Sequence, residues 1–152
     1  MSLGGGGGGQ MQQVAQQIEQ LEQTKEAIEA EIETLEEEKR DIDEAIHAID
    51  QLDSGSTVQV PIGGGAYVRA EVQDIDEVIV DLGADYSAER DQEGAKSSLE
   101  TKQEKLDDQI DDLRSEIAEV ETQVQELEQE AEQMQAQQMQ QLQQQQQQQQ
   151  DE

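Results

Sequence analysis

The chain carries two long seven-residue repeats of apolar side chains, separated by a stretch that contains glycine and proline. In the first repeat ten of the twelve a and d positions are apolar, where random placement would give about four. So narrow an apolar stripe is typical of a coiled coil. The a positions are Met11, Ile18, Lys25, Ile32, Lys39 and Ile46, and the d positions are Val14, Leu21, Ile28, Leu35, Ile42 and Ile49.

The second repeat lies near the other end of the chain, and ten of its eleven positions are apolar. Its d positions are Leu99, Leu106, Leu113, Val120, Leu127 and Met134, and its a positions are Gln103, Ile110, Ile117, Val124 and Ala131. The two stripes have similar lengths, and glycines and Pro61 between them exclude one continuous helix. We therefore expect the second helix to fold back antiparallel on the first.

The ends of the helices carry recognisable signals. Gly55 is placed for a left-handed cap at the end of the first helix. Ser97 and Glu100 have capping-box spacing, which predicts a second start near residue 97, and a start near Asp91 stays open.

The insert between the helices alternates apolar and polar residues, which is typical of short strands. A turn is predicted at residues 63–65, a second near residues 74–76 and a third after Gly83, so the insert contains two β-hairpins. An insert this short cannot bury its apolar face by itself, and it has no cysteine that could form a stabilising disulfide bond. We expect the hairpins to form an oligomer through Val58, Val60, Ile62, Val68, Val72, Val78, Val80 and Leu82.

The predicted fold class is thus α+β, a long antiparallel two-helix coiled coil with two β-hairpins inserted between the helices. The predicted segments are a flexible Gly-rich leader at 1–10, a first helix at 11–54, a double-hairpin module at 55–90, a second helix at 91–142 and a disordered Gln-rich tail at 143–152.

The net charge of −29 narrows the possible partners. A polyanion of this size disfavours nucleic acid, and no apolar run is long enough to span a membrane. Without cysteine or a signal-peptide pattern, a cytoplasmic location is expected. With only nine basic residues, the acidity favours a salt-adapted cytoplasm, where salt screens repulsion between carboxylates. An ordinary acidic coil at moderate salt is the alternative.

The sequence contains no convincing motif for catalysis or for binding a nucleotide or a metal ion. The triple glycine at 63–65 lacks the lysine of a phosphate-binding loop and is better explained as a turn. His47 lies beside the coil stripe without an orienting pocket, and Asp74–Asp76 fails the calcium-loop pattern at Val78. We therefore predict no enzyme activity, no catalytic or cofactor-binding residues and no metal site.

Two further sets of residues stand out along the helices. Lys25 and Lys39 occupy a positions near acidic residues, which favours a role in setting the helix register over contact with another protein. Apolar residues near the predicted free tip of the coil would finish the seam or stay exposed to bind other proteins. These tip residues are Met11, Val14, Ile18, Met134, Met139 and Leu142.

The order of parts resembles the alpha subunits of archaeal prefoldins. The likeness covers roughly residues 10–140 and is most specific in Pro-Ile-Gly-Gly-Gly-Ala-Tyr-Val at 61–68 and Val-Ile-Val-Asp-Leu-Gly at 78–83. An insert with two hairpins resembles the alpha class rather than the beta class, and the acidity suggests a haloarchaeal member.

The resemblance implies an ATP-independent chaperone, a heterohexamer of two alpha and four beta subunits. It also implies that coil tips capture non-native polypeptides and that a group II chaperonin receives them. The glycine leader and glutamine tail lie outside the family pattern, and the Gln- and Glu-rich tips depart from a strongly apolar grip. The alternative is a structural coiled-coil spacer or tether without chaperone activity, which explains the heptads but not the four strands.

Overall fold

The computed structural model describes residues 5–150, which form two long helices with four short strands between them. The elements in chain order are α1 (Gly5–Gln51), β1 (Thr57–Gly63), β2 (Ala66–Glu71), β3 (Val78–Gly83), β4 (Tyr86–Arg90) and α2 (Gln92–Gln150). The predicted order of helix, two hairpins and helix is confirmed. The outermost parts of the predicted leader and tail, residues 1–4 and 151–152, lie outside the described residues.

Both helices are longer than the sequence predicts. α2 continues through residues 143–150, the segment expected to be disordered, because glutamine is a good helix former and no glycine or proline follows Gly94. α1 begins at Gly5 instead of residue 11. Glycine costs about 1 kcal/mol relative to alanine in a helix. The segment 5–9 is therefore helical because it continues the helix that follows it, and not through its own propensity.

The chain divides into two compact units. The coil unit comprises the described parts of residues 1–32 and 111–152, and the hairpin unit comprises Glu33–Ile110. In the coil unit the helices run antiparallel, and Val14, Ile28 and Val120 are buried between them. Lys25 Nζ lies 3.0 Å from Glu121 Oε1 of the opposite helix.

In the hairpin unit the ends of the two helices also pair antiparallel. Lys39 forms an ion pair with Asp107, and Lys96 Nζ lies 2.7 Å from Asp50 Oδ1. The core of this unit contains both helix and strand residues. Its buried apolar side chains are Ile42, Val80, Ala95, Leu106 and Ile110.

Each pair of neighbouring strands forms a separate two-stranded antiparallel sheet. Val60 faces Val68 in the first hairpin, and Val80 faces Ala88 in the second. Both hairpins have an irregular register just before the turn. In the first hairpin Gly64 and Gly65 have φ of 61° and 81°.

The turn of the second hairpin has the same left-handed backbone without glycine. Ala84 and Asp85 have φ of 51° and 63°. These two-residue turns match the right-handed twist of the flanking strands, which is why the chain accepts positive φ there. The positive φ of Ala84 causes steric strain at its Cβ that a glycine would not have.

Candidate functional site

The first hairpin presents an apolar face that its own chain leaves uncovered. Val60 and Val68 face each other across the strands on one side of the sheet, and both are exposed. Ile62, next to the turn, is 66% exposed. Val58 on the same strand is half-buried. Exposed apolar side chains on a short two-stranded sheet are expected to bury themselves against another protein, because such a sheet is marginal alone.

The second hairpin is anchored more firmly to its own chain. Val80 is only 4% exposed, so it belongs to the core of the hairpin unit and is not available to a partner subunit. Lys102 Nζ of α2 donates a 3.0 Å hydrogen bond to the carbonyl oxygen of Asp81, which ties β3 to the helix. Leu82 stays exposed, while Val72 and Val78 are half-buried.

Three large exposed side chains on the hairpins were missed by sequence reasoning. Ile79 is 74% exposed and lies on the opposite face of β3 from Val80, because successive residues of a strand alternate between faces. Tyr67 and Tyr86 are also exposed, each at the start of the returning strand of its hairpin. Tyr67 lies on the opposite face of β2 from Val68, and the exposed area of its ring identifies it as a candidate contact.

The expected tip residues divide into two groups. Val14 is 6% exposed and is a seam residue, while Met11, Ile18 and Met134 are half-buried. These four side chains are therefore fully or partly buried in the seam between the two helices. Met139 and Leu142 are 62% and 60% exposed, and they are the tip residues that the coil unit leaves open.

The register of the coil unit explains why Met139 is uncovered. Lys25 of α1 pairs with Glu121 of α2. Counting eighteen residues from this pair along each helix in opposite directions brings Met139 level with Gly7. The residues of α1 at this level are glycines, which have no side chain to cover a neighbouring helix.

Charged and polar groups at a positions pair across the seam. The hydrogen bond from Lys25 to Glu121, together with the charge of that carboxylate, raises the pKa of Lys25 above its ordinary value. In the hairpin unit Gln103 Nε2 donates to the Lys39 carbonyl oxygen at 3.2 Å and to Asp43 Oδ1 at 3.0 Å. These contacts join specific levels of the two helices, and the role of Lys25 and Lys39 in setting the register stays a prediction.

A second set of residues missed by sequence reasoning holds the hairpins between the helix ends. Gln92 Nε2 donates to the carbonyl oxygens of Ile49 and Leu52 at 2.7 and 3.1 Å, so it caps the end of α1. Gly55 has the predicted positive φ of 92°, but its N–H donates to the carbonyl of Val72. The prediction that Gly55 caps α1 is therefore wrong: its N–H closes the base of the first hairpin.

The start of α2 also differs from the capping-box prediction. Asp91 Oδ1 accepts a 2.6 Å hydrogen bond from the N–H of Gly94, and the Asp91 carbonyl accepts from Ala95 N–H. The helix thus starts after Asp91, the position that the sequence left open, and not at Ser97. A Cβ at Gly94 would lie 2.6 Å from the capping oxygen, so a larger residue there would require the Asp91 carboxylate to shift.

The described residues contain no group of histidine, cysteine and acidic side chains suited to hold a metal ion. Within residues 5–150 no helix is long and apolar enough to cross a membrane.

Comparison with known proteins agrees with this architecture. The family model described as Prefoldin subunit matches residues 9–152. The prefoldin subunit alpha of Haloarcula marismortui is 68% identical over 109 residues, covering 72% of this chain and 71% of the relative. That of Halorubrum lacusprofundi is 58% identical over 103 residues, 68% of each chain.

A solved structure has a similar fold. The cryo-EM structure of a filamentous PFD from Methanocaldococcus jannaschii is similar with a TM-score of 0.51 and 30% sequence identity. The similarity covers 77% of this chain and 93% of that one. With two hairpins between paired helices, a family match over almost the whole sequence and close relatives that are alpha subunits, this chain belongs to the prefoldin family.

Proposed function

We propose that this chain is the alpha subunit of an ATP-independent chaperone that holds non-native polypeptides and passes them to a group II chaperonin. The single observation that carries the proposal is that exposed apolar residues occur in two separate places. One set lies on the hairpins, at Val60, Ile62 and Val68, and the other lies on α2, at Met139 and Leu142. One set serves assembly and the other serves capture.

The hairpins join this chain to beta subunits in a hexamer of two alpha and four beta subunits. The support for this assignment is physical, because each hairpin is a two-stranded sheet with an uncovered apolar face. Four exposed residues of the predicted set, Val60, Ile62, Val68 and Leu82, are the subunit contacts, and Val80 supports the second hairpin from inside the chain.

Capture takes place in the cytoplasm at the end of the coil unit, and neither nucleic acid nor a membrane takes part. Holding an unfolded chain on exposed apolar side chains involves no bond making, so the function needs no catalytic residue or cofactor. The acidic surface keeps the assembly soluble at high salt, where apolar surfaces otherwise associate.

The assembly role is tested with two substitutions on neighbouring residues of β1. Val60→Asp places a carboxylate on the exposed apolar face, and Gln59→Asp places the same charge on the other face of the strand. The full chain is produced with a matching beta subunit, and native mass is measured. We expect the hexamer to be lost with Val60→Asp and kept with Gln59→Asp. Equal masses for both variants, or a long filament of this chain alone, would contradict the proposal.

The holding role is tested by light scattering of a denatured client at about 2 M KCl, where charge repulsion is strongly screened. The intact hexamer is compared with a hexamer that lacks residues 1–18 and 132–152. We expect the intact form to suppress aggregation and the trimmed form to assemble but hold poorly. A confirmed intact hexamer that leaves aggregation unchanged would refute the function.

A further inference from the structure

All but two of the charged side chains of this chain lie between residues 19 and 132. Residues 19–132 contain all nine basic residues and all acidic residues except Asp151 and Glu152. The stretches 1–18 and 133–150 contain no charged side chain. In the coil unit these two stretches belong to the same end, because Lys25 pairs with Glu121 and the helices run antiparallel. We call the described part of this end, residues 8–18 and 133–150, the uncharged end.

The uncharged end combines three kinds of surface. Met139 and Leu142 provide exposed apolar side chains. In α2 from residue 133 to residue 150, every residue except Met134, Ala136, Met139 and Leu142 is a glutamine, and most of these glutamines are exposed. The glycines of α1 are open to solvent: a Cβ added at Gly8 or Gly9 would meet no atom of another residue's side chain or of α2 within 4 Å.

Each kind of surface suits an extended polypeptide. Glutamine amides both donate and accept hydrogen bonds, so they can pair with main-chain N–H and C=O groups of any sequence. Methionine adapts its shape to different apolar side chains. The glycines of α1 have no side chain that would compete with a bound segment for the same surface.

The charge pattern decides which polypeptides can lie there. At about 1 M salt the Debye length is about 3 Å, so only charges close to contact distance interact strongly. An acidic segment on the flanks of residues 19–132 would press carboxylates against carboxylates, whereas a basic segment would find partners there. At the uncharged end an acidic segment meets no carboxylate from residues 8–18 and 133–150.

We propose that the uncharged end is a docking site for extended acidic polypeptide segments whose apolar side chains pack on Met139 and Leu142 beside the glycine segment. This inference rests on the proposed holding function and adds the class of polypeptide that is held. Basic segments bind instead to the acidic flanks, and their binding weakens as salt rises.

The test compares two variants of equal net charge. In the end variant, Gln137→Glu, Gln140→Glu and Gln144→Glu introduce three carboxylates around Met139 and Leu142. In the flank variant, Gln109→Glu, Gln125→Glu and Gln129→Glu introduce three carboxylates at other exposed positions of α2. Glutamate and glutamine have similar helix propensities, so both variants keep the helix.

Each variant is assembled with the beta subunit, and binding of short fluorescent peptides is measured by anisotropy at about 0.5 M and about 2 M KCl. The peptides share one pattern of leucines and differ only in flanking residues, which are glutamates or lysines. We expect the end variant to bind the glutamate peptide at least about fivefold more weakly than the flank variant at the lower salt. The lysine peptide should lose affinity with salt in both variants.

The outcomes separate this inference from the proposed function. Equal affinities of both variants for the glutamate peptide would overturn the inference. So would unchanged binding after Met139→Gln with Leu142→Gln. If the wild-type hexamer suppresses client aggregation yet binds only the lysine peptide, the inference falls and the holding function stands. If it neither binds a peptide nor suppresses aggregation, both fall.

Discussion

The side-chain amide of Gln92, the first residue of α2, donates a 2.7 Å hydrogen bond to the main-chain carbonyl of Ile49 near the end of α1. The same amide reaches the Leu52 carbonyl at 3.1 Å, so one side chain satisfies two acceptors at a helix end that would otherwise depend on water. The main-chain N–H of Gln92 donates in turn to Asp76 Oδ1, between the two hairpins. Gln92 therefore links three segments that are far apart in sequence.

Replacing Gln92 with alanine should destabilise the hairpin unit. Two part-buried hydrogen bonds are lost and two carbonyls are left without this donor, for an expected cost of about 1–2 kcal/mol. Denaturant unfolding of the assembled protein measures it. The control is Gln109→Ala, an exposed glutamine of the same helix, which should change stability by less than about 0.5 kcal/mol. Similar losses for both variants would show that Gln92 has no special role.

Replacing Ala84 with glycine should stabilise the second hairpin. Ala84 has a φ of 51°, where its Cβ is strained, and removing the Cβ should recover about 0.5–1 kcal/mol. Ala84→Val should be destabilising, because a β-branched side chain tolerates this backbone less well. Thermal unfolding compares the three proteins. A destabilising Ala84→Gly would mean that the flexibility gained by the unfolded chain outweighs the strain relieved.

The ion pair between Lys96 and Asp50 should make a pH-dependent contribution to stability. The hydrogen bond from Lys96, together with its charge, holds the pKa of Asp50 below its ordinary value of 3.8. A carboxylate with a depressed pKa in the folded state stabilises the fold above its unfolded pKa, and this stabilisation is lost as pH falls through the folded pKa.

The measurement for this pair is the difference in stability between the wild type and Asp50→Asn as a function of pH. The wild type should be the more stable protein at about pH 7, and the difference should shrink below pH 3.8 and then vanish. Taking the difference cancels the repulsion among the other acidic residues, which acid relieves in both proteins. The exposed carboxylate control Asp112→Asn should show a smaller difference at neutral pH. A difference that grows in acid would contradict the assignment.

Added salt should raise the thermal midpoint of the assembled protein. With a net charge of −29, repulsion between carboxylates opposes helix pairing, and screening shortens its range from about 10 Å at 0.1 M to about 3 Å at 1 M salt. Calorimetry in increasing KCl measures the effect. Sorbitol at matched osmolality separates charge screening from exclusion of solute, since it should stabilise less. A midpoint that falls with KCl would exclude the screening explanation.

The heptads and the strands were predictable because their signals are local and periodic. Every predicted a and d position, including Lys25, Lys39 and Gln103, is buried or half-buried. A period of 3.5 residues can be satisfied only by a helix that keeps one stripe against a partner. The two hairpins followed in the same way from alternation and from glycine at the first turn, and the strands at Val58–Ile62 and Val78–Leu82 are confirmed.

The contacts between distant segments could not be predicted in this way. Gln92 looks like any other glutamine in a chain with many of them, and its role depends on the helix ends coming together. Val60 and Val80 have the same alternation in sequence, yet one is exposed and the other is buried, and the strand with the buried valine is the one that Lys102 of α2 holds by a hydrogen bond. Val14 and Met139 both looked like tip residues, but the register places Val14 in the seam and Met139 beside glycines.

The amino-acid order alone was enough to specify helices that pair along one stripe, short strands between them and an uncharged stretch near each end, because these properties depend on neighbours within a few residues. The tertiary arrangement selected which apolar side chains remain exposed, which helix end receives a cap and which carboxylates meet an amine. Burial and pairing depend on two segments at once, and the residues close to one segment in sequence do not determine where the other segment lies.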